Sequence, residues 1–124
     1  MAKRRRRIRR QAARMLTAER LRRIYRLLKS LATRPRTRPQ LLWMLRVDQR
    51  TFYRDLEILR QFGIRVVQQT GVYVLETPMQ RILALLPMPD PRLTLAEAQV
   101  LAQGRSQAHR KLSRILRSIL GSYR

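Results

Sequence analysis

The sequence predicts a mostly helical chain carrying one small β-hairpin, and three observations predict it. Three capped, amphipathic stretches follow one another between Thr17 and Gly63. The hydrophobic period then changes from helical to strand-like, as IRVVQQ and VYVL either side of Thr70-Gly71. Beyond the hairpin, prolines at 78, 87, 89 and 91 separate a short helix from two further helical stretches.

Residues 1–15 hold eight of the basic side chains and are expected to form a disordered arm, because like charges repel until a polyanion meets them. From Thr17 the pattern changes. Thr17 is placed to N-cap a helix with Glu19 in its first turn, and Leu21, Ile24, Leu28 and Leu31 recur at helical spacing. Pro35 and Pro39 end that helix near Ala32. Thr37 caps a second, QLLWMLR, with Pro39 in its tolerated first turn. Asp48 caps a third over residues 49–62, with Phe52, Leu56 and Leu59 on one stripe and Gly63 as its stop. At 100° per residue, Arg50, Tyr53, Arg54, Glu57 and Gln61 fall on the other side.

Three helices followed by a hairpin is the element order of a winged helix-turn-helix, expected here over residues 16–77. A short helix, MQRILALL, and a Pro-rich linker occupy 78–92. In 93–124, Thr94 and Glu97 form a capping box for one helix, which reaches about Gln103, and Gly104 is a break or a tolerated kink before the last. That last helix aligns Ala108, Leu112, Ile115, Leu116 and Ile119. Two destinations for this stripe stay open: a homodimer interface through Leu112, Ile115, Leu116 and Ile119, or packing on the chain's own winged domain.

Charge narrows the function. There are 29 Lys and Arg against 7 acids, a net +22, and 26 of the 29 are arginine. Such a chain repels itself unless a polyanion offsets it, and nucleic acid gains from every neutralised phosphate. Residues 1–60 hold 20 basic and 4 acidic residues, whereas 61–124 hold 9 and 3. The predicted helix-turn-helix therefore lies in the more positive half. The absence of cysteine excludes disulfides and thiolate chemistry. One histidine, His109, and seven scattered acids give no catalytic or metal pattern, so an enzyme, a metal and a cofactor are not expected. Apolar runs are too short to span a bilayer. A cytoplasmic, nucleoid-associated protein is expected.

The run LLWMLRVDQRTFYRDLEILRQFGIRVVQQTGVYVL resembles the N-terminal winged helix-turn-helix of WYL-domain transcriptional regulators, a DeoR-like type. The residues that carry the likeness are Val47, Arg50-Thr51, Arg54-Asp55, Leu59, Gly63 and Gly71-x-Tyr73-x-Leu75. LTLAEAQVLAQG resembles, more loosely, the helix that follows the wing. The chain ends where that family has its WYL domain, so no sensing role is carried over. Arg46 replaces the family's turn glycine, at a cost of roughly 1 kcal/mol if the position needs a positive φ. Asp48 replaces its capping serine.

The resemblance implies that the start of the third helix faces base edges. The residue types suit this: Arg50 and Arg54 fork onto guanine, Gln49 pairs with adenine, and Tyr53 reaches a base, sugar or phosphate. Thr37, Arg38, Arg46, Thr51 and Arg65 are candidate phosphate contacts. Arg4, Arg5, Arg6, Arg7, Arg9 and Arg10 form a basic arm for the backbone or minor groove. Asp55, beside Arg54, is expected to pair inside the domain. Trp43 is expected to pack in the core, with exposure toward a partner interface as the alternative, since the family usually shows a polar residue at that position. The expected function is a sequence-specific regulator of transcription that binds double-stranded DNA as a homodimer. Two alternatives are a low-specificity DNA- or RNA-binding protein and an adaptor that docks on a protein partner, a larger regulator or polymerase, through its C-terminal helices.

Overall fold

The computed structural model describes residues 2–7 and 16–121. The chain divides into two compact units, Met1–Pro89 and Asp90–Arg124. Among the described residues no helix is long and apolar enough to cross a membrane.

Residues 2–7 form a short, fully exposed helix, α1. This differs from the disordered arm expected there. Arginine and lysine rank close to the best helix formers, and every charge on this turn reaches water. Arg9 and Arg10 of the expected arm lie outside the described residues.

Helix α2 spans Ala18–Thr33, and its N-cap Thr17 accepts from the Arg20 amide through Oγ1 at 3.1 Å. It stops because Arg34, preceding Pro35, is pushed to extended backbone at φ −168°. The same extension lets Arg36–Thr37 form a two-residue strand, β1, before helix α3 begins at Arg38–Leu45. Thr37 caps α3 in a full capping box: Gln40 N donates to Thr37 Oγ1, and Thr37 N donates to Gln40 Oε1. Arg46 ends α3 in the left-handed region, φ 54° and ψ 48°. Helix α4 then runs Gln49–Gln61, with Asp48 as N-cap. Gly63, at φ 79°, lies in the left-handed region just past the C-cap Phe62.

Strands β2 (Val66–Gln69) and β3 (Val72–Leu75) pair antiparallel with Gln69 opposite Val72. Their two-residue turn has Thr70 at φ 48° and Gly71 at φ 84°, the two positive φ angles of a type I′ hairpin. β1 adds to the other edge of β3, through Arg36 opposite Tyr73 and Thr37 opposite Val72. The sheet order is β1-β3-β2. Helix α5 (Met79–Leu85) follows the sheet.

One core joins these elements. Ile24, Leu27, Leu28 and Leu31 of α2 meet Leu41 and Leu45 of α3, Phe52, Ile58 and Leu59 of α4, and Ile64, Tyr73 and Ile82. Burying each such side chain contributes roughly 1.5–3 kcal/mol. Leu56, expected on the inward stripe, is only half-buried; Ile58 and Asp55 complete that face instead. Of the two expectations for Trp43, packing in this core is overturned and exposure is what the structure has: its side chain is 82 % exposed. Leu41 and Leu45 face inward, and position 43 lies about 200° from each, on the outer side of α3.

The second unit pairs α6 (Leu95–Leu101) with α7 (Gln107–Leu120). Thr94 and Glu97 form the predicted capping box at α6, and Ser106 caps α7. Ala102 and Leu116 are its buried residues. Leu116, one of the residues of the stripe expected from sequence, is buried within the chain. Leu112 is half-buried, while Ile115 and Ile119 remain exposed.

Candidate nucleic-acid interface

The outer face of α4 is built by its inner one. Phe52 and Leu59 anchor the helix in the core, and Phe52 meets Tyr73 of β3 edge-on at 5.3 Å between ring centroids. Asp55 is 2 % exposed and receives two guanidiniums from α2. Arg23 donates from Nε to Oδ2 at 2.7 Å and from Nη2 to Oδ1 at 3.0 Å; Arg20 Nε donates to Oδ1 at 3.1 Å. The Asp55 hydrogen bonds push the Arg23 pKa above its ordinary value. Asp55 is thus structural, as expected, although its partners come from 32 and 35 residues away rather than from Arg54.

With that side fixed, Gln49, Arg50, Tyr53 and Arg54 reach solvent together along the first turns of α4. Asp48 accepts from the Thr51 amide at 2.8 Å. Hydrogen bonds from Thr51, with the charges of Arg50 and Arg54 behind them, hold the Asp48 carboxyl below the usual carboxylate value. The carboxylate is thereby directed at the helix N-terminus, where the dipole favours it.

A second helix contributes to the same face. Arg38, at the start of α3, donates from Nη1 to the Tyr53 phenolic oxygen at 2.9 Å. That bond lowers the Tyr53 pKa and raises that of Arg38. Beneath it, burial pushes the Tyr73 phenol up. The pair cross-links the N-terminal ends of α3 and α4 at the surface. The guanidinium keeps four of its five N–H donors for another acceptor.

The remaining candidates are placed unevenly. Thr37 Oγ1 serves the α3 cap but keeps its hydroxyl proton to donate. Thr51 is half-buried and engaged with Asp48. Arg46 is exposed on the turn between α3 and α4. Arg65 forms an ion pair with Glu76 at 3.4 Å, at the far end of β2 and β3 from their turn. Arg4, Arg5, Arg6 and Arg7 are exposed on α1.

Sequence reasoning missed the Arg38–Tyr53 bond, which joins residues 15 apart without a local motif. It also missed the third strand, which is too short for any periodicity to register. Comparison with known protein families, with curated proteins and with solved structures finds no match.

Proposed function

We propose that this chain is a sequence-specific DNA-binding regulator of transcription. In this reading α3, the turn at Arg46 and α4 form a helix-turn-helix, and β2 and β3 form its wing, as the resemblance to WYL-domain regulators suggests. Helix α4 enters the major groove and presents Gln49, Arg50 and Arg54 to base edges. Tyr53 and Arg38 meet the groove wall, and Thr37 and Arg46 position the phosphate backbone. The basic residues of 2–7 add non-specific attraction. A homodimer through the exposed Ile115 and Ile119 of α7 would match two half-sites. The cytoplasm is the location implied, and no catalytic role is assigned.

The observation that carries this reading is the Arg38–Tyr53 contact. It fixes a cation and a phenol beside three exposed, base-competent side chains at one helix N-terminus. An acid within this face, Asp48, is engaged in capping the helix through the Thr51 amide.

The test is selection from a random duplex library at near-physiological salt, followed by the same selection with Arg50→Ala. A defined motif is expected, with discrimination at one base pair lost by roughly 1–3 kcal/mol in the variant. An unchanged motif would remove α4 from the reading role. No motif at all, with binding that disappears on deleting residues 1–14, would favour a low-specificity binder driven by the basic arm.

A further inference from the structure

Trp43 is the chain's one tryptophan, and it stands 82 % exposed on the outer side of α3. It lies five residues, about 7.5 Å along the helix axis, beyond the Arg38 that bonds Tyr53. A large aromatic in such a position neither stabilises the core nor belongs to the α4 face. Among the described residues no ring or cation contact engages its indole.

The surroundings are specific. Trp43 lines a concavity with Arg26, Leu42, Met44, Arg46 and Val47. Its volume is about 680 Å³, within the roughly 300–1,000 Å³ typical of small-ligand sites. Two guanidiniums come from different segments, α2 and the turn after α3, and no acid lines the site. An open π-face with two cations beside it is the chemistry that holds a nucleobase by stacking and its phosphates by charge.

We propose that the Trp43 concavity binds an unpaired base of a single-stranded nucleic acid, stacked on the indole, with the flanking phosphates on Arg26 and Arg46. A duplex cannot offer this contact, since its bases already stack on one another. Charge argues against a second copy as the occupant: the site presents two guanidiniums and no acid to a chain whose own net charge is +22. The site is separate from the face of α4 and does not depend on that helix entering a groove. Arg46 is the one residue the two readings share, so the test turns on Trp43 and Arg26.

The single tryptophan makes the site its own reporter. An oligothymidylate of about ten nucleotides, which has no structure of its own, is titrated into the full chain while tryptophan emission is followed. Strong quenching is expected, whereas a hairpin-free duplex of the same length leaves the emission nearly unchanged. Trp43→Leu is expected to weaken oligothymidylate binding, followed by anisotropy of a labelled strand, roughly five-fold or more. It should leave duplex affinity unaltered, and Arg26→Gln should weaken the single strand alone. Position 43 is outside the core, so both variants keep the fold, as circular dichroism checks. Any of these results overturns the proposal: no quenching by oligothymidylate, single-strand affinity unchanged in Trp43→Leu, or an equal emission change with polyglutamate, which assigns the patch to acidic protein segments. A blue shift that grows with protein concentration alone would give it instead to a second copy.

Discussion

Arg23 grips Asp55 with two parallel hydrogen bonds, 2.7 and 3.0 Å, and so fastens α2 to the inner face of α4. The carboxylate is 2 % exposed, and Arg20 adds a third bond. Both guanidiniums that reach the carboxylate come from α2, so the contact joins the two helices at one buried point.

Removing the acid should therefore cost more than removing a surface ion pair. Breaking a fully buried pair costs about 3–5 kcal/mol. The guanidiniums here still touch water, at 23 % and 18 % side-chain exposure, so Asp55→Ala is expected to lose on the order of 2–3 kcal/mol, after discounting for that exposure. Urea unfolding measures it. A loss under about 0.5 kcal/mol would mean that α4 is held by its apolar side alone.

Arg46 occupies left-handed backbone at φ 54°, where a side chain is strained by roughly 1 kcal/mol. Arg46→Gly should relieve that strain, less the entropy that glycine adds to the unfolded chain. A rise in the urea midpoint equivalent to up to roughly 0.5 kcal/mol, at unchanged slope, is expected. If Arg46 also meets a phosphate, the same variant should bind duplex less tightly and with a salt slope smaller by about one ion. Greater stability with unaltered binding would assign the arginine no part in recognition.

What the sequence made legible, and what it did not, follows one physical division. Caps are local chemistry, so Thr17, Thr37, Asp48 and Thr94 could be placed in advance, and with them the helix starts. The Thr70-Gly71 turn and the stop at Gly63 are local too. Contacts between distant segments leave no such trace. Asp55 gives no hint that Arg23 rather than Arg54 is its partner, and Arg38 none that it reaches Tyr53. Trp43 is a different kind of miss. Its hydrophobicity argued for burial, but Leu41 and Leu45 on the same short helix already defined the inward side. Position outweighed residue type there. The stripe of the last helix divides in the same way, since Leu116 is buried while Ile115 and Ile119 stay exposed.

Asp48 supplies a pH signature. Its folded carboxyl lies below the ordinary value because Thr51 hydrogen-bonds the ionised form and Arg50 and Arg54 favour it. A depressed folded pKa contributes stability that is present above the unfolded value, about 3.9. That stability is lost as pH falls through the folded one. Asp48→Asn keeps a capping oxygen but cannot titrate. The difference in urea midpoint between the two proteins is expected to be level from pH 5 to 8 and to shrink below about pH 4. A difference that instead widens in acid would show that the cap does not favour the charged carboxylate.

Gly104 and His109 make the C-terminal unit testable by itself. A Cβ placed on Gly104 would come within 2.3–2.5 Å of three atoms of the His109 ring. That ring is not free to swing aside without loss, since Nδ1 lies 2.5 Å from Ser106 Oγ, the hydroxyl that also accepts from the His109 amide to cap α7. Gly104→Ala should push the ring out, weaken the cap and loosen the turn between α6 and α7. Hydrogen exchange at the first amides of α7, measured in the full chain, should speed up by roughly five- to thirty-fold, as befits a loss of about 1–2 kcal/mol. The decisive arm is the double variant. His109→Ala removes the obstructing ring, so Gly104→Ala should then cost little more than in an open turn, with a coupling of at least about 0.5 kcal/mol. Additive effects would mean that glycine is needed at 104 for its backbone and not for the imidazole packed against it.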